Sequence, residues 1–185
     1  INVDRIPDFL DGLTQRVRSQ AEFATARERR TASLYALSRD LAGARSTGEL
    51  GAAIVRQMND VFDSAITIVL PDEKGTLRTW LPEGTFVLDE KDLGVVDWVW
   101  LRERAAGLGT DTLPSASGLF LPLRGSHDRI GVLGIRPRDL SRLKDPEQRK
   151  LLDTFAHELA VAIERSLLSE RARRAEVQVE TEQLR

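Results

Sequence analysis

The first part of the chain carries a weak helical repeat. Between Leu13 and Leu41 there is neither proline nor glycine, and one set of positions recurs in alternating steps of four and three. The positions of this repeat are Leu13, Val17, Gln20, Ala24, Arg27, Thr31, Leu34, Ser38 and Leu41. The spacing is typical of a coiled coil, although polar residues fill its middle. Two interpretations follow: a dimer seam that includes Leu34 and Leu41, or a solvated helix that packs from Leu34 onward.

The next segments predict a second helix followed by a β-hairpin. Ser46 and Glu49 have the spacing of a capping box, and apolar residues then recur at helical spacing. Residues 64–70 are short, rich in β-branched side chains and almost wholly apolar, which predicts a buried central strand. The turn residues at 71–75 predict a reversal into a returning strand over 76–81.

A third helix is predicted from Asp89, its N-cap, to about Ala106, with Gly107 as its end. Its middle is apolar on nearly every side, so it needs cover on more than one face. Asp97 is the one polar residue of that stretch, and we expect it to face solvent.

The remaining pattern predicts a second hairpin and a long C-terminal helix. Strands are predicted over 119–123 and 130–135, with Pro122 marking an edge or a bulge because it has no amide hydrogen. Asp145 and Pro146 form a strong helix start, and no helix breaker follows before the last residue. The later part of this helix again repeats in steps of four and three, at Leu168, Ala172, Ala175 and Val179.

The order of predicted elements is helix, helix, hairpin, helix, loop, hairpin and long helix. This order is typical of an α+β domain whose antiparallel sheet lies between long terminal helices.

Charge and composition exclude several classes of function. The chain has 27 basic and 29 acidic residues, whereas nucleic-acid-binding domains usually show a basic excess, so we expect no nucleic-acid partner. It has no cysteine, and its two histidines, His127 and His157, are too few for a histidine-rich metal site. No apolar run approaches the length of a membrane span and no signal-peptide pattern is present, so we expect a cytoplasmic location.

His157 lies in the stretch that most resembles a chemical motif. A zincin would need a second histidine at the position of Val161, and the phospho-acceptor box of histidine kinases continues with threonine and proline, which are absent here. We therefore expect His157 to lie on the flank of a packed helix. The sequence indicates no catalytic residue, no metal and no cofactor.

A ligand site is predicted between the sheet and the third helix, closed by the glycine-rich loop at 107–114. Trp98 or Trp100 would form the wall of this site, and Thr110, Asp111 and Thr112 its polar contacts. Two alternatives stand beside this hypothesis: both tryptophans belong to the core, and the loop is a tight turn whose side chains bond nearby backbone amides.

Several motifs together resemble the GAF domain of KdpD-type osmosensitive potassium-channel histidine kinases. The resemblance covers roughly residues 31–185. Its motifs are Trp98 and residues 35–41 (YALSRDL), 106–114 (AGLGTDTLP), 121–123 (LPL), 145–148 (DPEQ) and 178–185 (QVETEQLR). Residues 1–12 do not match, and we expect them to be a foreign leader on an excised cytoplasmic piece of a membrane protein.

The resemblance implies a signalling helix over 13–41, a GAF-like domain over 42–164 and a coiled-coil helix over 165–185 that leads to the kinase dimerisation segment. It implies a homodimer that relays a signal through its terminal helices, on the cytoplasmic side of the bacterial inner membrane. The partners are then the transmembrane and kinase segments of the parent protein, with K+ or a small cytoplasmic molecule as a candidate ligand. The alternative is a structural dimerisation spacer that binds nothing.

Overall fold

The computed structural model describes the backbone of residues 6–81 and 86–183, and the side chains of residues 20, 24–81 and 86–178. The chain divides between Ala36 and Leu37 into two units. The described part of the first unit is helical, and the second unit contains the sheet and the remaining helices.

Helix α1 spans Ile6–Gly43 and begins seven residues earlier than the repeat predicts. Pro7 lies in the first turn of the helix, where its missing amide hydrogen costs nothing because first-turn amides have no intrahelical partner. Residues 1–5 of the predicted leader lie outside the described residues, and the origin of the leader stays a prediction.

Helix α2 spans Thr47–Phe62 and starts where the sequence predicts. The Ser46 hydroxyl oxygen accepts a hydrogen bond from the Glu49 amide at 3.2 Å. The Glu49 carboxylate accepts from the Arg45 amide at 2.8 Å, one residue before the position that a regular capping box would use. The helix ends at Asp63, whose backbone is left-handed with φ of 48°.

Within the described residues, the sheet has five antiparallel strands in the order β2-β1-β5-β4-β3. The strands are β1 Ser64–Pro71, β2 Leu77–Thr79, β3 Ala106–Gly107, β4 Leu119–Arg124 and β5 Arg129–Pro137. The α+β class and both hairpins are therefore confirmed, although β2 is shorter than predicted. Strand β3 reaches only Leu119 and Phe120 of β4, so Pro122 lies beyond the paired stretch on that side, as an edge position requires.

Alternation along the strands divides the core between two faces of the sheet. Ile66, Leu133 and Leu121 lie on the face covered by α2 and the C-terminal helix, where Phe62 and Phe155 meet edge to face with ring centroids 5.1 Å apart. Val69, Phe120 and Val132 lie on the opposite face and pack against the third helix.

Helix α3 spans Glu90–Arg102, so the prediction that it continues to Ala106 is wrong. Glu103 has a left-handed backbone with φ of 51°, which turns the chain back toward the sheet. Ala106 and Gly107 then pair with Phe120 and Leu119 as β3. A Cβ atom on Gly107 would lie 2.3 Å from the Gly118 carbonyl oxygen, so the close approach of β3 requires glycine.

A short 3₁₀-helix, Leu140–Lys144, leads into helix α4, Pro146–Gln183. The Asp145 carboxylate accepts from the Glu147 amide at 2.9 Å, which confirms the predicted start. Helix α4 is buried along one face as far as Ile163, and residues 171–178 are exposed on all sides. Among the described residues, no helix has the combined length and apolarity that crossing a membrane requires.

We predict that Leu159→Ala destabilises the domain by about 2–5 kcal/mol, because Leu159 is fully buried between α4 and the sheet and its loss leaves a cavity. Leu101→Ala is the matched control: Leu101 is also helical but 68% exposed, so the change should stay within about 0.5 kcal/mol. Urea unfolding of both variants measures the difference, and equal effects would contradict the described core.

Candidate functional site

Asp92 is a fully buried carboxylate in the first turn of α3. It exchanges capping bonds with Asp89: the Asp92 amide donates to Asp89 Oδ1 at 2.8 Å, and the Asp89 amide donates to Asp92 Oδ2 at 3.4 Å. Asp92 also accepts from the Ser117 amide at 2.9 Å and from the Ser117 hydroxyl. A buried carboxylate is costly unless it is bonded in this way, so Asp92 fixes the N-terminus of α3 to the segment before β4.

Arg136 of β5 completes this group from the side of the sheet. Its Nε donates to the Ser117 carbonyl oxygen at 3.0 Å, and one of its Nη atoms donates to the Ser117 hydroxyl and lies 3.9 Å from Asp92 Oδ2. The guanidinium carbon lies 4.1 Å from the centroid of the Phe86 ring, as a cation–π contact requires. Asp92, Ser117 and Arg136, hereafter the anchor cluster, thus join α3, the loop before β4 and β5.

The anchor cluster is not predicted by the sequence pattern. Asp89 was recognised as an N-cap, and a second aspartate three residues later is a signal that could have pointed to Asp92. Ser117 and Arg136 carry no such signal, because their bonds to Asp92 join segments far apart in the chain.

A groove of about 1100 Å³ lies between α2 and the first half of β1. Strand β2 pairs with β1 from Val69 to Pro71, and the Trp80 amide donates to the Ile68 carbonyl oxygen at 2.7 Å. The residues of β1 before Ile68 have β5 on one edge and, within the described chain, no strand on the other. The groove is lined by Thr47, Gly48, Gly51, Ala52, Val55, Arg56, Asn59, Asp60, Ser64, Ala65, Trp80, Leu81, Arg136, Pro137 and Arg138. Arg136 therefore belongs both to the anchor cluster and to the groove.

The predicted ligand residues lie apart from this groove. Trp98 is half-buried against the core between α3 and the sheet, and Trp100 lies under Arg129, whose guanidinium carbon is 4.7 Å from the ring centroid. The Thr110 hydroxyl lies 2.7 Å from the Gly107 carbonyl oxygen and accepts from the Thr112 amide at 3.2 Å.

These bonds favour the tight-turn interpretation of the 107–112 loop, in which Asp111 is exposed. A ligand role for Trp98, Trp100, Thr110, Asp111 and Thr112 stays a prediction. Asp97 and His157 are both exposed, so the expectation for Asp97 is confirmed.

The end of α1 is tied to α2 and to α4. Gln57 Nε2 donates to Asp40 Oδ2 at 2.7 Å, and this bond is the main reason that the pKa of Asp40 lies below its ordinary value. Arg165 of α4 donates to the Leu41 carbonyl oxygen at 3.2 Å, and Leu41 itself is buried. We call this arrangement of Asp40, Leu41, Gln57 and Arg165 the helix junction.

The other predicted relay residues are more open. Leu34 is half-buried in the N-terminal unit, Leu168 is 56% exposed, and Ala172 and Ala175 are exposed. The side chain of Val179 lies outside the described residues.

Helix α4 also binds the β4–β5 turn, through Glu164, the residue before Arg165 of the helix junction. Glu164 Oε2 accepts from the Ser126 amide at 2.8 Å, and this bond is the main reason that the pKa of Glu164 lies below its ordinary value. A Cβ atom on Gly125 would lie 2.8 Å from the Glu164 carboxylate, so a larger residue there would displace the end of the Glu164 side chain.

The comparisons with known proteins agree with this architecture. The family model of the GAF domain matches residues 46–165. The sensor protein KdpD of Escherichia coli strain K12 is 34% identical over 177 residues, which are 95% of this chain and 20% of that protein. The sensor protein KdpD of Clostridium acetobutylicum is 25% identical over 185 residues, with 96% of this chain and 20% of that protein covered. The chain thus spans about a fifth of the length of these relatives.

Two solved structures illustrate the likeness of the fold. The native GAF domain of the potassium sensor histidine kinase KdpD from Escherichia coli has a TM-score of 0.66 and 31% identity, and the match covers 77% of this chain and 98% of that one. The GAF domain of an Acinetobacter phosphoenolpyruvate-protein phosphotransferase has a TM-score of 0.57 and 20% identity, with coverage of 77% and 98%. The second likeness concerns the fold alone.

We predict that Asp92→Asn lowers the free energy of unfolding by about 1–3 kcal/mol, because an amide replaces a buried acceptor that three donors surround. Asp97→Asn on the same helix is the matched control, and its exposed side chain predicts a change within about 0.5 kcal/mol. Denaturant unfolding measures both, and an Asp92 variant as stable as the control would contradict the anchoring role.

We predict that Glu164→Gln makes the domain less sensitive to acid. Because the folded pKa of Glu164 lies below its unfolded value, the ionised side chain stabilises the fold above about pH 4.5, and this contribution is lost as the pH falls through the folded pKa. The unfolding free energies of the parent chain and the variant should therefore converge below that pH. Glu176→Gln, at an exposed position of the same helix, is the control, and a difference that is independent of pH for Glu164→Gln would contradict the assignment.

Proposed function

The chain belongs to the GAF domain family, and from this premise we propose that it is the relay module of a KdpD-type sensor histidine kinase. In this role it lies on the cytoplasmic side of the bacterial inner membrane and passes a signal through paired helices to the kinase core that controls potassium uptake. The module itself carries no catalytic residue in this proposal. The kinship with sensor kinases supports it, since the chain matches KdpD proteins over nearly its whole length.

The observation that carries the proposal is the helix junction. The last carbonyl groups of a helix have no partner within that helix, and one of those at the end of α1, that of Leu41, is bonded by Arg165 of α4. Asp40 in the same turn is held by Gln57 of α2. A shift at the end of α1 therefore acts directly on α2 and on α4.

Helix α4 provides a continuous path away from the junction. It runs from Pro146 to Gln183, about 57 Å at 1.5 Å per residue. Its exposed second half carries Leu168, Ala172 and Ala175 at seam spacing, which leaves this face open to a second copy of the chain. A seam of such small side chains is weak, and a weak seam suits a relay because two packings can then differ by a few kcal/mol.

The ligand part of the proposal is separate from the relay. K+ or a small cytoplasmic molecule is the candidate input, and Trp98, Trp100 and residues 110–112 remain the contacts that the sequence suggests. The alternative function is a dimerisation spacer whose sheet binds nothing and whose helices are a passive connection. The relay and the spacer differ in whether output depends on the rotational phase of α4.

We predict that one residue inserted after Ala172 locks or abolishes the output of the full-length kinase. One extra residue turns everything downstream by about 100° and moves it off the seam. Seven inserted residues restore the phase and should leave much of the response intact. Autophosphorylation at low and high K+ in both insertion variants measures this dependence.

The seven-residue insertion is also the control for lengthening and for local disturbance of the helix. Equal output from the two variants would support the passive spacer and contradict the relay.

A further inference from the structure

We infer that the groove between α2 and β1 binds a small anion of the polycarboxylate or phosphate class. The consequence of this binding for signalling rests on the proposed function, whereas the binding itself concerns the groove alone. The inference combines three features of the groove: its charge, a preorganised guanidinium in its wall, and an apolar surface that fits a small molecule.

The charge of the groove favours an anion. The residues that line it include three arginines, Arg56, Arg136 and Arg138, and one carboxylate, that of Asp60. Arg56 and Arg138 are 56% and 79% exposed, and each contacts an aspartate outside the groove at 3.5 Å. Because both guanidinium groups are more than half exposed, each can turn from its aspartate to a ligand in the groove. The fork of N–H donors on each arginine matches a carboxylate or a phosphate.

Arg136 is the fixed element of the site. Its guanidinium is held by the Ser117 carbonyl oxygen at 3.0 Å and by the face of the Phe86 ring, yet its side chain remains 39% exposed. A guanidinium has five N–H donors, and the bonds to Ser117 leave several of them for a ligand. Because its position is already fixed, little conformational entropy is lost when a ligand binds.

The rest of the wall is composed as small-molecule sites usually are, with apolar surface and a few polar groups. Trp80 provides a half-buried ring, and Gly51 and Ala52 leave the α2 wall without bulk. A Cβ atom on Gly51 would lie 3.0 Å from a methyl group of Leu81, so α2 and the segment after β2 already approach closely there. The volume of the groove, about 1100 Å³, is ample for a small anion.

The anchor cluster connects the groove to helix α3. Arg136 lines the groove and also contacts Ser117, which donates to the buried Asp92. An anion on Arg136 competes with Asp92 for the same guanidinium. Binding in the groove would thereby alter the hold on the N-terminus of α3.

The test is isothermal titration calorimetry of the 185-residue chain with sodium citrate and with sodium pyrophosphate at constant ionic strength. We expect a dissociation constant below about 1 mM for at least one of them. Tighter binding of citrate assigns the site to polycarboxylates, and tighter binding of pyrophosphate assigns it to phosphates; both outcomes support the inference. No binding of either anion by the folded chain overturns it.

Three variants and one matched control locate the binding. Arg56→Gln and Arg138→Gln should each weaken it about three- to tenfold, and Ala52→Glu, which places a carboxylate in the wall, at least about tenfold. Arg78→Gln is the control: Arg78 is 73% exposed and 3.6 Å from Asp72, much as Arg138 is from Asp63, but it lies outside the groove.

If Arg78→Gln and Arg138→Gln weakened anion binding equally, the anion would be attracted by the overall charge of the protein and not by the groove, and the inference would be overturned. The binding and insertion experiments have separate readouts, so failure of this site and failure of the proposed relay are distinguishable.

Discussion

The antiparallel pairing of β1 with β5 is the constraint on which the rest of the domain depends. Its register places Ala65 opposite Arg136 and Thr67 opposite Gly134, and side chains alternate between the two faces of the sheet. A shift of one residue would carry Arg136 to the face that α2 and α4 cover with apolar side chains. The register therefore determines which side chains each face of the sheet presents to the helix that packs on it.

Gly134 shows how tightly this pairing is specified. A Cβ atom at this position would lie 2.7 Å from a methyl group of Thr67 and 2.8 Å from the Phe120 ring. Phe120 can thus lie across β5, under α3, because its neighbour has no side chain. Polar contacts also join α3 to this strand. Ser117, which donates to Asp92 of α3, accepts a hydrogen bond from Arg136, two residues further along β5 than Gly134.

Local patterns in the sequence were enough to predict most elements of the fold. The starts of α2, α3 and α4 follow from side chains next to the backbone amides they cap, at Ser46, Asp89 and Asp145, and those contacts involve neighbouring residues. The end of α3 was not predictable in the same way. Ala106 leaves the helix because it pairs with Phe120, and nothing in the α3 segment encodes that partner. The groove and the anchor cluster were missed for the same physical reason, because each is assembled from segments that meet through the sheet.

The contacts of α4 place one end of this helix in the core, and the other end belongs to the relay that we propose. Phe155 is locked against Phe62 in the core, and about two and a half turns later Glu164 holds the β4–β5 turn while Arg165 holds the end of α1. Every described side chain of the helix beyond residue 170 is exposed. A helix that is held firmly at one end transmits rotation and displacement along its length and resists bending, because its backbone hydrogen bonds continue unbroken. Glu164 and Arg165 are adjacent in the sequence. The contact with the β4–β5 turn and the contact with the end of α1 therefore lie within a single turn of α4, just before its exposed segment begins.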